Sequence, residues 1–101
     1  MAVIVTYDEN GGFWDHVPPP SGPGSGDRWG PGTRIPALII SPFAKKGFVD
    51  KTPYDTASIL RFITRRWNLA PLPGVEARDR ALAANGEAPM GDLTAALEPP
   101  R

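Results

Sequence analysis

The chain has 101 residues, enough for one small domain. Eleven basic and eleven acidic residues give a formal net charge of zero, which argues against the broad positive surface of a nucleic-acid-binding protein. No apolar run approaches the ~20 residues of a membrane span, and the lack of cysteine excludes disulfides and thiolate chemistry.

The first predicted strand covers residues 2 to 7, because its β-branched and apolar residues are typical of a buried strand. It runs into Asp8 and Glu9, and Asp15 and His16 follow shortly afterwards. Acidic side chains at the carboxyl edge of a sheet lie where open α/β sheets bind ligands. Neighbouring carboxylates repel each other, so they favour a raised pKa or a bound hard cation. Solvated loop carboxylates and a helix cap are the alternatives that the spacing alone leaves open.

A long loop is predicted from residue 8 to residue 33, and residues 18–33 are expected to be flexible because they are rich in proline and glycine. Gly11 and Gly12 permit a sharp backbone turn. We expect Phe13 and Trp14 to pack this loop onto the sheet rather than to bind substrate.

The second predicted strand covers residues 34 to 41. Residues 37–40 form a continuous apolar run, as expected of a strand with both faces covered. Pro36 fits only near the start of such a strand, and the Ser41-Pro42 step ends it.

An amphipathic helix is predicted from about residue 53 to residue 67, with Thr52 as its cap and Pro53 in the first helical position. A shorter helix is predicted for residues 75–84, and a last turn from Asp92 to residue 97. Four basic side chains are expected to be solvated, with contact to phosphate or lipid headgroups as the alternative. They are Lys45, Lys46, Arg65 and Arg66.

Residues 7–20 resemble the YDE-x-GGFFDHV-x-PP signature of the bacterial phosphoesterase family, which includes acid phosphatases and non-haemolytic phospholipases C. Residues 34–44 and 54–61 resemble two further blocks of that family, so the resemblance covers about residues 3 to 97. It implies an α/β fold, in which residues 1–101 form the C-terminal part of an alkaline-phosphatase-like sandwich. Thr56 stands where the phospholipases often have histidine, which favours the acid-phosphatase branch.

The resemblance also implies a site. Asp8 and Glu9 are expected to bind a divalent metal ion that helps to hydrolyse a phosphate ester, either a monoester or a phosphodiester such as a phospholipid. His16 is expected to contact phosphate or to act as a general acid, and a purely structural role for it is equally consistent. Asp15 is expected to orient His16.

The serine or threonine nucleophile of the family lies upstream of these motifs, so we expect this chain to be incomplete as an enzyme. A genuine mini-protein is the alternative. Three hypotheses follow: a phosphoesterase segment, a catalytically silent remnant that acts as a binding or assembly module, and one part of a split enzyme completed by an N-terminal half. No signal peptide is visible in the sequence, whereas the resemblance implies a periplasmic or secreted location.

Overall fold

The structure is a computed structural model that describes residues 1–13, 15–19 and 32–98. Most of the predicted flexible loop, together with Trp14, lies outside these residues. The elements in chain order are two strands, two helices and a 3₁₀ turn: β1 (Val3–Thr6), β2 (Ala37–Ile40), α1 (Ala57–Arg66), α2 (Pro73–Ala84) and the turn Thr94–Ala96. Each predicted element therefore exists, although both strands are shorter than predicted.

The two strands pair with each other in antiparallel order, with Val3 opposite Ile40 and Thr6 opposite Ala37. The sheet described here is thus a two-stranded antiparallel ribbon in a small α/β arrangement, and it does not contain the parallel strands that a larger α/β sheet would have. The pairing also fixes the geometry of the loops. The segment after β1 meets the segment before β2 at one end of the sheet, and the segment after β2 leaves from the other end.

One face of this sheet is aliphatic and open to solvent. Val3, Val5, Leu38 and Ile40 share that face in the observed register, and each is between 44% and 63% exposed. The prediction that the second strand has both faces covered is therefore wrong for the described residues. The physical reason is that neither helix packs over this face, so the strand keeps the composition of a buried strand without a covering layer.

Helix α1 begins at Ala57, four residues later than predicted. The predicted cap at Thr52 does not form, because Asp50 accepts hydrogen bonds from the Thr52 amide, at 2.9 Å, and from the Tyr54 hydroxyl. These bonds hold the preceding segment in a turn. The predicted stop is confirmed: Asn68 has a φ of +50°, and the Leu69 amide donates to the carbonyl of Thr64 at 2.8 Å, which closes the helix end.

Helix α2 begins at Pro73, a residue suited to the first helical position, two residues before the predicted start. It supplies Leu82 to a small core that also contains Leu93 and Ala96, the buried apolar residues of the described segments. An ion pair also links the two helices. Arg61 of α1 donates two hydrogen bonds of 2.6 Å to Asp79 of α2.

The C-terminal segment packs back onto the residues that follow β2. Leu97 forms an isolated antiparallel bridge with Ala44, and the Lys45 amide donates to the carbonyl of Ala96 at 3.0 Å. The residue at the cap position of the last turn is Leu93 rather than Asp92, although the Asp92 carboxylate accepts a hydrogen bond of 3.1 Å from the Thr94 amide. In the part of the chain that the structure covers, neither helix has the length and apolarity needed to cross a bilayer.

Candidate functional site

The loop that follows β1 turns sharply at its two glycines. Gly11 and Gly12 have φ angles of +60° and +82°, a conformation that residues with a Cβ atom rarely adopt. The Phe13 amide donates to the carbonyl of Asn10 at 3.0 Å and closes the turn. The glycine pair therefore makes the reversal that the sequence predicts, and the two acidic side chains stand just before it.

Both of these acidic side chains accept hydrogen bonds from nearby backbone amides. Asp8 accepts from the Glu9 amide at 2.9 Å, and Glu9 accepts from the Gly11 amide at 2.6 Å. Both residues are exposed to solvent. These bonds orient the two carboxylates. Asp8 and Glu9 thus follow β1 at one end of the sheet, and their role as metal ligands remains a prediction.

Asp15 forms an ion pair with Arg34, which lies just before β2. The Arg34 guanidinium contacts Oδ2 of Asp15 at 2.7 Å, and Oδ1 accepts from the Val17 amide at 2.9 Å. The hydrogen bond from the Val17 amide, followed by the one from Arg34, lowers the pKa of Asp15 below its ordinary value. Asp15 is thus a stable anion that anchors the loop, and its predicted part in orienting His16 is not tested by these contacts.

Asn10 makes the second connection between the loop and the residues that precede β2. Its side-chain amide donates to the carbonyl of Arg34 at 2.7 Å and to the hydroxyl of Thr33 at 3.3 Å. Together with the Asp15–Arg34 pair, these bonds bind the loop to the neighbouring strand at two points. A role for Asn10 or Arg34 in this site was not predicted from the sequence. The signal available was an arginine just before an apolar strand, in a chain whose preceding loop, residues 8–33, has four carboxylates.

A shallow depression of about 540 Å³ lies beside this loop. Its lining is part polar and part apolar: Asn10, Phe13, Asp15, Arg34, Ile35 and Pro36. Asp8 and Glu9 are outside this lining. Phe13 is 79% exposed at its edge, so the prediction that it packs the loop onto the sheet is wrong for this residue. The depression offers a cation, a carboxylate and an exposed ring to a small ligand.

The predicted metal site has ligands of the expected type, carboxylate oxygens, but fewer of them than a metal ion needs. Carboxylate oxygens are the ligands that hard divalent cations prefer, and such cations take about six of them. Within residues 1–13, 15–19 and 32–98, no group of three or more acidic, histidine or cysteine side chains is arranged to hold a metal ion. His16 is exposed, as the general-acid or phosphate-binding prediction requires, and neither role is tested here. The metal-binding role of Asp8 and Glu9 therefore stays a prediction.

Comparison with known protein families gives one match. The model of the phosphoesterase family matches residues 1–70. The matched segment contains both strands, the Asp15–Arg34 pair, all of α1 and the described residues after β1, 8–13 and 15–19, here called the acidic loop. The family match thus covers the whole of the candidate site.

The similar proteins of known name are phospholipases C. Phospholipase C B of Mycobacterium tuberculosis is 37% identical over 92% of this chain and 20% of its own length. Non-hemolytic phospholipase C of Burkholderia pseudomallei is 36% identical over 95% of this chain and 16% of its own length. Non-specific phospholipase C1 of Arabidopsis thaliana is 42% identical over 68% of this chain. The chain thus spans about a fifth of the length of the curated relatives that it matches. No solved structure gives a significant match.

Proposed function

The chain belongs to the phosphoesterase family, and from that premise we propose that its acidic loop forms part of a site that hydrolyses phosphate esters. The observation that carries the proposal is the coincidence of the family match with this loop. The match covers residues 1–70, and Asp8 and Glu9 stand just before the turn at Gly11 and Gly12.

The substrate class that we propose is a phosphodiester, with a phospholipid as the principal candidate. The support comes from relatives named phospholipase C that align with 92% and 95% of this chain. Hydrolysis of such a diester adds water across one P–O bond, so the hydroxyl goes to phosphorus and the proton to the departing alkoxide. Thr56, which favours an acid phosphatase, makes a phosphomonoester the second substrate to test.

The chain's own residues would contribute orientation and charge to this site. Asp8 and Glu9 would hold a divalent cation, which when bound polarises a phosphoryl oxygen. The Asp15–Arg34 pair and Asn10 fix the loop against β2, so the two carboxylates keep their relative positions. Because two carboxylates are too few ligands for a hard cation, the remaining ligands and the nucleophile would come from another polypeptide segment.

A catalytically silent binding module is the second candidate. One observation favours it: both carboxylates already accept local amide hydrogen bonds, as they would in a loop that serves only as a structural turn. This candidate and the phosphoesterase proposal differ in one measurable property, namely whether Asp8 and Glu9 bind metal when the rest of a phosphoesterase domain is present.

The test is complementation. A phospholipase C relative is expressed without the segment that matches this chain, mixed with this chain, and assayed for hydrolysis of p-nitrophenyl phosphorylcholine and p-nitrophenyl phosphate with divalent metal added. We expect hydrolysis of the diester by the mixture but not by either part. Asp8→Asn and Glu9→Gln are each expected to lower the rate by about 10- to 100-fold, because each removes part of the metal's ligand set.

The matched control is Glu87→Gln, which removes an exposed carboxylate outside the family-matched segment and is expected to leave the rate unchanged. Calorimetric titration of the mixture with Mn²⁺ gives a second readout. Equal rates for wild type and Asp8→Asn would remove these carboxylates from the mechanism. If the mixture neither hydrolyses an ester nor binds metal, the silent module is the correct reading.

A further inference from the structure

The segment between β2 and the turn before α1 carries a net positive charge. Residues 43–51, here called the lysine loop, contain three lysines and one aspartate. The loop therefore has a formal net charge of +2, in a chain whose formal net charge is zero. It leaves the sheet at the end opposite to the acidic loop, as the hydrogen bond of 3.1 Å from the Ser41 hydroxyl to the Met1 carbonyl confirms.

The tip of the lysine loop exposes apolar side chains between these cations. Val49 is 78% exposed and Phe48 is 50% exposed. The turn at Gly47, with a φ of +59°, presents them to solvent. Exposed apolar side chains flanked by exposed lysines, here Lys46 and Lys51, are the composition of segments that bind at the surface of a bilayer.

The remaining charges of the loop are directed inward. Lys45 donates to the carbonyl of Ala95 at 2.8 Å, and its ammonium lies 4.7 Å from the centre of the Phe48 ring, which it holds in place. Asp50 accepts from the Thr52 amide and the Tyr54 hydroxyl. Within residues 43–51 the two exposed charges, those of Lys46 and Lys51, are therefore both positive, and the exposed Glu98 lies at the base of the loop next to Phe43.

The base of the loop is held by backbone hydrogen bonds. The Lys45 amide donates to the Ala96 carbonyl at 3.0 Å, and the Glu98 amide donates to the Phe43 carbonyl at 2.7 Å. Because the base is fixed, less conformational entropy is lost when the tip binds.

We infer that the lysine loop is a docking surface for an anionic lipid bilayer. Phe48 and Val49 enter the boundary between headgroups and acyl chains, and Lys46 and Lys51 pair with lipid phosphates. A bilayer matches both features at once, since it offers an apolar layer directly beneath a layer of negative charge. The inference goes beyond the proposed function, because a membrane can be bound whether or not an ester is hydrolysed. The acidic loop, which anionic lipids would repel, lies at the far end of the sheet.

The test is binding to vesicles in the presence of a chelator, so that no metal-dependent hydrolysis contributes. We expect the chain to co-sediment with vesicles of equal parts phosphatidylcholine and phosphatidylglycerol, and to release when salt is raised. The double variant Lys46→Gln/Lys51→Gln should bind about 25-fold more weakly, since each lysine near an anionic surface contributes about fivefold. The double variant Phe48→Ser/Val49→Ser should lose about tenfold or more.

Two matched controls keep the test specific. Arg66→Gln/Arg80→Gln removes two exposed positive charges from the helices, and Leu69→Ser removes an exposed apolar side chain beyond the end of α1. Both should bind as wild type does. Circular dichroism checks that each variant is folded.

The fluorescence of an attached dye gives a second measurement, which detects binding directly rather than through its loss in a variant. The sequence has no cysteine, so Val49→Cys accepts a single polarity-sensitive fluorophore, which should shift to the blue on anionic vesicles. The inference is overturned if the label does not shift, if the loop variants bind as wild type does, if the helix control loses as much as the loop variant, or if pure phosphatidylcholine vesicles bind equally well.

Discussion

The side chain of Tyr54 contacts two other parts of the chain, at Asp50 and at Gly91. It donates its phenolic hydrogen to Asp50. Burial, and then this hydrogen bond, raise the pKa of Tyr54 to about 12. A tyrosine whose pKa rises on folding stabilises the folded state through its protonated form. That contribution is complete below the ordinary pKa of 10.0 and is lost as the pH rises from there towards 12.

The variant Tyr54→Phe tests this assignment. It should lower the free energy of unfolding by about 1 kcal/mol at neutral pH, because Asp50 loses a hydrogen-bond donor. The difference from wild type should shrink as the pH rises from 10 to 12, and urea unfolding at several pH values measures it. A constant difference across that range would mean that the Tyr54 hydroxyl does not ionise in this window.

Gly91 makes the second contact with the same ring. A Cβ atom at this position would lie 2.5 Å from Cε1 of Tyr54 and 2.8 Å from Cγ2 of Thr52. We expect Gly91→Ala to lower the free energy of unfolding by about 1–3 kcal/mol, because the ring and the backbone must separate. Urea unfolding is the measurement.

The matched control for this change is Gly74→Ala, in the first turn of α2. No atom lies within 4 Å of the added Cβ atom, and alanine is the better helix former. This variant should be as stable as wild type or slightly more stable. Equal effects of the two alanines would contradict the steric reason given for Gly91.

Single residues of the site were predictable only where their chemistry does not depend on the fold. Asp8 and Glu9 stand out because two carboxylates follow an apolar strand, and the Gly11 turn follows from its residue type. The Asp15–Arg34 pair joins residues that are 19 positions apart in the sequence. Nothing local connects them, so the antiparallel pairing had to be known first.

At the level of elements, α1 and α2 are joined by the Arg61–Asp79 pair. The Arg61 side chain is 11% exposed and that of Asp79 is 31% exposed. The hydrogen bond from Arg61 to Asp79 raises the pKa of Arg61, so this side chain stays charged. Asp79→Asn would leave that charge with a weaker partner, and should destabilise the chain by about 1–3 kcal/mol in thermal or urea unfolding.

The control on the same helix is Glu76→Gln. Its partner Arg80 is 4.0 Å away, and both side chains are largely exposed. An exposed pair contributes little, so this change should cost less than about 0.5 kcal/mol. If Glu76→Gln costs as much as Asp79→Asn, burial is not the source of the difference.

The elements themselves were predictable because periodicity is a local property. The start of α1 was not, because the predicted cap at Thr52 has a competitor: Asp50 takes the Thr52 amide and draws Tyr54 into a turn. The direction in which the strands pair could likewise not be predicted from the sequence. An apolar run indicates a strand, but only the partner strand decides whether the pair is parallel or antiparallel.

At the level of the whole molecule, the open aliphatic face of the sheet dominates the expected solution behaviour. Val3, Val5, Leu38 and Ile40 are exposed together, and a two-stranded sheet of this kind is only marginally stable without a covering layer. We expect the isolated chain to associate as its concentration rises. Leu38→Lys should keep it monomeric, as measured by sedimentation velocity.

The comparison variant for association is Leu69→Lys, at a residue that is also exposed but lies beyond the end of α1. It should associate as wild type does. If both variants, or neither, become monomeric, the sheet face is not the surface that drives association.

The antiparallel pairing of β1 and β2 has a last consequence. It puts Asp8 and Glu9 at one end of the ribbon and the lysines that follow β2 at the other. In a chain with equal numbers of acids and bases, these acidic and basic side chains are thereby separated along the ribbon. Such a molecule, even at its isoelectric point, would adsorb to a cation-exchange resin end-on, with its carboxylates turned outward to the flowing buffer.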